Sequence, residues 1–189
     1  MIPVGRRGTE IVPGSRRGGL QAARSAQKAV EKILVREARR GRVVVRLKGG
    51  DPFIYGRGGE EAEALVAARI PFEVVPGVTA GIAAAAYAGI PLTHRDYGST
   101  VVFMTGRDGF GKSGPPLDVE AAVRADTAVV YMGVGNLAGL AARMIKAGKR
   151  ASTPAALVQE GTRPGQRTVT GTLGAIAARA KAAGVKPPA

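Results

Sequence analysis

The chain contains no cysteine and no tryptophan and has a single histidine, His94. Without cysteine there are no disulfides, no thiolate nucleophile and no Cys-based zinc or iron–sulfur site, and one histidine cannot build a multi-His metal site. No metal is expected. Aromatic residues make up only 4 % of the sequence, so Val, Ile, Leu and Ala must fill the core. The same scarcity removes the stacking platforms that RNA-binding modules use, which argues against a nucleic-acid partner. No apolar run approaches the roughly 18 residues of a membrane span, and the opening MIPVGRRGTE lacks the apolar stretch of a signal peptide. A cytoplasmic protein with no membrane partner is expected.

Acidic residues are also scarce. Against 28 Lys and Arg stand 14 Asp and Glu, a net charge of +14. Such an excess implies either a solvated basic face or an anionic partner, and a small polyanion suits it. With 189 residues and 45 % hydrophobic content, the chain can bury one substantial core or two small ones.

Residues 1 to 24 are rich in Gly and Arg and show no sustained period. From Ser25 to Arg40 the stretch SAQKAVEKILVREARR carries a helical stripe, stopped by Gly41. Strand, glycine loop and helix then alternate. The pattern predicts strands over 43–47 and 72–75, with helices over 59–69 and 78–88. Period-3.6 segments separated by short β-branched runs are the mark of βαβ units and a parallel sheet. The segment GIPLTHRDYGS, residues 89 to 99, breaks the pattern and is the expected joint between an N-terminal lobe, 1–96, and a C-terminal lobe, 97–189. Beyond it strands are predicted over 100–104, 127–132 and 154–159, a hairpin partner around 167–170, and helices over 118–125, 136–147 and 173–183. The expected fold class is α/β, with two lobes and mostly parallel sheets.

In open α/β sheets ligands sit beyond the carboxyl ends of the strands. Two glycine loops fall at such places. In GGDP, Gly49 and Gly50 permit close backbone approach, Pro52 stiffens the exit and Asp51 supplies an anionic acceptor. An anionic loop suits a polar, partly cationic ligand better than a phosphate; a tight turn with Asp51 capping the next helix is the alternative. The second loop, Gly133-Val134-Gly135-Asn136-Leu137-Ala138 with Glu160 further on, matches a dinucleotide fingerprint by spacing. It lies deep in the chain, and Asn136 reads as a helix N-cap. In PGVTAG, residues 76 to 81, Thr79 and Ala80 fall in a helix's first turn, where a hydroxyl and free N–H groups either face a ligand or cap the helix itself.

The order of the blocks is more specific than any one of them. RLKGGDPFIYGRGGEEAEAL, PFEVVPGVTAGIAAAAYAGIPLTHRDYGSTVVFMTG, VVYMGVGNLAGLAARMIKAG and QEGTRPGQRTVTGTL resemble the tetrapyrrole methylase superfamily, and KGGDPFIYGRGGEE with GIPLTHRD resembles its uroporphyrinogen-III C-methyltransferase branch. The resemblance implies S-adenosyl-L-methionine bound in a cleft between two α/β lobes, with S-adenosyl-L-homocysteine as product. It implies cofactor contacts from Gly49, Gly50, Asp51, Ile54, Thr79, Ala80, Met132 and Gly161, although Met132 also suits a core position. The implied reaction is methylation of pyrrole carbons of uroporphyrinogen III, giving precorrin-2 for sirohaem and cobalamin, in a homodimer. A polycarboxylate substrate gives the basic residues a use, with Arg46, Lys48, Arg57 and Arg95 as candidates by position. His94 is open between a structural and a catalytic role.

Members of that superfamily usually begin with a strand and a GxGPGDP-type loop, continue to a YDRLV-like segment with a proton-accepting aspartate, and end on a LIVVGEV-like strand. None of these is in the sequence. Arg6 stands where the resemblance puts a proton-donating lysine, and arginine holds its proton. Impaired activity is expected, and a non-catalytic remnant that binds the cofactor is the alternative to an active methyltransferase.

Overall fold

The computed structural model describes residues 10, 20–106 and 118–189, with side chains of the first helix described from residue 25 onward. Two compact units are distinguished, Met1–Lys48 with Arg57–Val75, and Gly49–Gly56 with Pro76–Ala189.

In the first unit, helix α1 spans Leu20–Arg39, starting earlier than its stripe suggests. It ends as the sequence predicts, since Gly41 adopts φ +77, a conformation that glycine takes at little cost. Gln27, Leu34 and Glu37 are buried along one face. Helix α2, Gly58–Ala67, places Glu60 and Glu61 in its first turn, where carboxylates favour the helix dipole. Glu61 joins the two helices. Its carboxylate accepts hydrogen bonds from Gln27 Nε2 at 3.1 Å and from Lys48 Nζ at 2.8 Å, and Arg46 Nε lies 3.2 Å away. The Glu61 and Lys48 side chains are only 6 % and 9 % exposed.

The strands expected over 43–47 and 72–75 do not form. A strand exists by its ladder, and neither run has a ladder partner among the described residues. Val43, Val45 and Val75 are 95 %, 81 % and 73 % exposed. The β-branched composition is present without anything to pair it.

The second unit carries the strands. Beyond α3, Ala80–Tyr87, strands β1, Val101–Thr105, and β2, Thr127–Tyr131, run parallel with Val101 opposite Thr127 and Thr105 opposite Tyr131. Between them in sequence lies α4, Val119–Arg124, whose N-cap Asp118 accepts the Ala121 N–H. Lys149 Nζ closes the other end of α4, donating to the Ala122, Val123 and Ala125 carbonyls at 3.3, 3.2 and 2.6 Å. After a single turn over Val134–Asn136, α5 spans Leu137–Lys146. Met104, Val119, Ala122, Leu140, Ala141, Met144 and Leu173 form the core these elements share. Strands β3, Pro154–Gln159, and β4, Arg167–Thr172, make the expected antiparallel hairpin. Helix α6, Ile176–Ala182, covers it through Ile176 and Ala180 packed on Leu157. The α/β class holds, with one parallel and one antiparallel pair among the described residues. Asn136 is the N-cap residue of α5, but its side chain makes no capping bond.

Burial alone would raise the pKa of Glu61. Hydrogen bonds from Lys48 and Gln27, with the charges of Arg46 and Lys48, more than offset this and hold it below the ordinary carboxylate range. Truncation to Glu61→Ala leaves Lys48 buried without its partner, and about 3 kcal/mol of unfolding free energy should be lost at pH 7. Because the folded pKa is depressed, Glu61's contribution is full above the ordinary value and is lost as pH falls through the folded one. Urea unfolding of both proteins across that range checks it: the gap between them should close in acid.

Candidate functional site

All eight cofactor-contact candidates fall in the second unit, and most of them gather around the start of α3. The GGDP loop is stapled there by its own aspartate. Asp51 Oδ1 accepts the Phe53 N–H at 2.8 Å and Oδ2 accepts the Gly77 N–H at 3.3 Å. Those hydrogen bonds, Phe53 first, lower its pKa, with a smaller contribution from Ile54 N–H. Asp51 does not cap the next helix, whose N-cap is Arg57 without a side-chain capping bond; it bonds within its own loop and across to Gly77, and is an ionised acceptor at neutral pH. The two loops touch through backbone. A Cβ on Gly77 would stand 2.5 Å from the Gly50 carbonyl oxygen, so no larger residue fits there without moving the GGDP loop.

Thr79 is the N-cap of α3 with φ −66 and ψ 147, yet its side chain does not cap the helix. Its hydroxyl instead pairs with the Tyr131 hydroxyl at 2.7 Å. The Thr79 carbonyl takes the Ile82 and Ala83 N–H groups. The Ala80 N–H has no hydrogen-bond partner among the described residues, which leaves a donor at the helix start.

Met132 follows Tyr131 at the end of β2 with φ +57, and is 40 % exposed. That exposure removes the core-filler alternative for its side chain. Gly161, after β3, lies against α3 one turn beyond Ala80: a Cβ there would be 2.6 Å from Ala84 Cβ. Its neighbours Glu160 and Thr162 have φ +50 and +68. For a β-branched residue this is a strained backbone, of order 1–3 kcal/mol. It is held by the Thr162 N–H donating to Gln166 Oε1 at 2.7 Å, while Gln166 Nε2 donates to the Tyr87 carbonyl at 3.2 Å. Just before this turn, Gln159 Oε1 is buried without a hydrogen-bond partner. A buried acceptor without a partner suits a ligand that brings an N–H or hydroxyl group to it.

Gly49 and Ile54 lie in the GGDP loop, exposed and half-buried respectively. Arg6 is outside the described residues. Of the proposed substrate-binding cations, Arg46 and Lys48 are committed to Glu61, and Arg57 to Glu60 at 2.9 Å. Arg95 is exposed and has no ion pair among the described residues. His94 organises its own turn, accepting the Asp96 N–H at Nδ1 and stacking on Tyr97 at 4.7 Å, which favours the structural role. The sequence reading missed Tyr131, Tyr55 and Gln159. Tyr55 donates to the Phe103 carbonyl at 3.0 Å and its ring lies 4.9 Å from that of Tyr131. Burial, then Tyr131, raise its pKa. A tyrosine closing a β-branched run before MGVG was the available signal, because an aromatic with a polar tip at a strand's carboxyl end is placed for a site.

Residues 6–177 match the family of Tetrapyrrole (Corrin/Porphyrin) Methylases. The chain is 52 % identical over 150 residues to a uroporphyrinogen-III C-methyltransferase of Priestia megaterium, covering 79 % of this chain and 63 % of the relative. It is 49 % identical over 164 residues to an S-adenosyl-L-methionine-dependent uroporphyrinogen III methyltransferase of Methanosarcina barkeri, covering 86 % and 64 %. The chain thus spans under two thirds of the length of these curated relatives. Its structure is similar to that of a uroporphyrin-III C-methyl transferase from Thermus thermophilus complexed with S-adenyl homocysteine. The two share 37 % identity at a TM-score of 0.72, over 86 % of this chain and 70 % of the other.

Gly77→Ala should push the Gly50 carbonyl away and cost about 1–3 kcal/mol as overpacking. Chemical unfolding would show the loss, and a variant as stable as the parent would mean the two loops separate freely.

Proposed function

Since the chain belongs to the family of Tetrapyrrole (Corrin/Porphyrin) Methylases, we propose that it methylates pyrrole carbons of uroporphyrinogen III with S-adenosylmethionine, giving precorrin-2 for sirohaem and cobalamin. The observation that carries this reading is the gathering of Gly50, Asp51, Ala80, Thr79 and Gly161 around the start of α3, with Met132 beside the tyrosine that binds Thr79. When bound, the donor supplies a methyl group made electrophilic by the sulfonium charge.

The residues would bind and orient. Asp51 keeps lone pairs beyond those used by Phe53 and Gly77 and faces cationic or hydroxyl groups. Thr79 and the Ala80 N–H meet polar atoms, and Gln159 Oε1 accepts an N–H that would satisfy it. Pyrrole carbon is itself the nucleophile, so the protein's contribution is alignment of donor and acceptor rather than a covalent intermediate. Arg6, proposed as catalytic from the resemblance, would act by charge, since a guanidinium does not release its proton. Arg95 and the surplus positive charge attract a polycarboxylate.

The division into lobes 1–96 and 97–189 belongs to the same proposal, although packing groups residues 76–96 with the second unit. So does a cytoplasmic homodimer. Among the described residues no helix is long and apolar enough to cross a membrane. Helix α3 is free of charged residues and leaves Ile82 and Tyr87 45 % and 70 % exposed, a surface that a second copy could cover.

The test is anaerobic incubation of this chain with uroporphyrinogen III and S-adenosylmethionine, with the product mass as readout. Two added methyl groups are expected. A folded protein that binds S-adenosylhomocysteine but transfers nothing would be the non-catalytic remnant, and one that does neither would end the reading. Asp51→Ala should weaken S-adenosylhomocysteine binding about tenfold, the loss of one charged contact, as measured by titration calorimetry.

A further inference from the structure

We propose that Tyr131 is a positioning residue of this site, and that its hydroxyl fixes the direction in which Thr79 offers its own hydroxyl to the methyl donor. The inference rests on the proposed binding of S-adenosylmethionine at the start of α3, and goes beyond it in naming a residue that need not touch the ligand.

The Tyr131 ring has little freedom. Tyr55 lies 4.9 Å from it in a tilted stack, and Phe103 meets it edge-on at 5.9 Å. Its hydroxyl accepts the Gly81 N–H at 3.0 Å and pairs with Thr79 Oγ1 at 2.7 Å. A phenol oxygen has one proton to donate. With Gly81 occupying one lone pair, Tyr131 can give its proton to Thr79, and the Thr79 proton is then directed to whatever lies beyond. Thr79 is 5 % exposed, so an undirected hydroxyl there would bear a desolvation cost.

The helix is built to admit this contact. In AGIAAAAY the second residue is Gly81 where alanine would stabilise a helix better. An alanine Cβ at that position would stand 2.5 Å from the Tyr131 hydroxyl oxygen and 2.6 Å from Val129 Cγ1. Tyr131 and Val129 together therefore require glycine at 81. Tyr131 also precedes Met132, so one residue ties the end of β2 to the start of α3, between two of the proposed cofactor contacts.

The test compares the parent chain with Tyr131→Phe, Thr79→Val and the double variant by S-adenosylhomocysteine calorimetry and thermal melting. Tyr131→Phe keeps the ring stack and removes only the hydroxyl. It should fold but melt somewhat below the parent, since the Gly81 N–H and the Thr79 hydroxyl lose their partner, and it should bind about tenfold more weakly. The double variant should bind no more weakly than Thr79→Val alone, because the two hydroxyls act as one unit. In turnover, Tyr131→Phe should raise KM for S-adenosylmethionine and leave KM for the tetrapyrrole unchanged, a split that general loosening of the fold would not produce. Unchanged affinity, additive losses, or a Tyr131→Phe protein that fails to fold would each overturn the positioning role while leaving the methyl-donor reading in place. A folded parent chain that binds no S-adenosylhomocysteine would overturn both.

Discussion

A single hydroxyl, on Tyr131, joins the carboxyl end of a parallel strand to the amino end of a helix, and the local arrangement of the second unit depends on that junction. Both ends carry unsatisfied groups by construction: a strand that stops exposes its following loop, and a helix that starts leaves N–H donors without intrahelical partners. Tyr131 takes the Gly81 donor and the Thr79 hydroxyl together. With α3 held there, the Gly77 backbone meets Gly50, Asp51 bonds across to Gly77, and Gly161 packs on Ala84. Each later contact presupposes the position of the helix, while the helix itself has no buried side chain to locate it. Polar anchoring at its first turn does what hydrophobic burial does for α5.

The same unit shows where local strain is kept. Tyr55, Met132, Glu160 and Thr162 all have positive φ, a conformation disfavoured for residues with a side chain. All four lie in the loops around the candidate residues. Strain of this kind survives where surrounding bonds over-determine the backbone. The Gln166 bridge from the Thr162 N–H to the Tyr87 carbonyl is such a restraint, and it ties the Gly161 turn to the far end of the helix whose start Tyr131 holds.

Much of this was legible in the sequence, and the misses are physically consistent with one another. Strand β3 and its hairpin partner were read almost to the residue, because alternation and flanking turns are local signals. The loops GGDP and PGVTAG were read as turns for the same reason, but that they meet each other through Gly50, Asp51 and Gly77 was not legible. The runs over 43–47 and 72–75 failed as strands because a ladder is a tertiary property, and composition does not reveal whether a partner is present. Tyr131 was missed since its partners, Thr79 and Gly81, lie far back in the chain. The pairing of Arg46, Lys48 and Arg57 with Glu61 and Glu60 was not legible, because a cation beside a glycine loop reads alike whether it faces a ligand or an internal carboxylate.

Those pairings bear on how the charge works. Carboxylates are scarce, and two among the described residues are shared by more than one cation: Glu61 takes Lys48 and Arg46, and Glu37 takes Arg36, Arg40 and Arg42. Lys149 is spent on the end of α4. Named cations near the loops are thus structural, yet pairing inside the protein cannot cancel an excess of 28 over 14. The remainder acts as a field, which attracts a polyanion over roughly a Debye length without assigning it to particular residues. Recognition by fixed contacts and attraction by net charge are then separable, and only the first requires side chains, such as Arg95, that the fold has left uncommitted among the described residues.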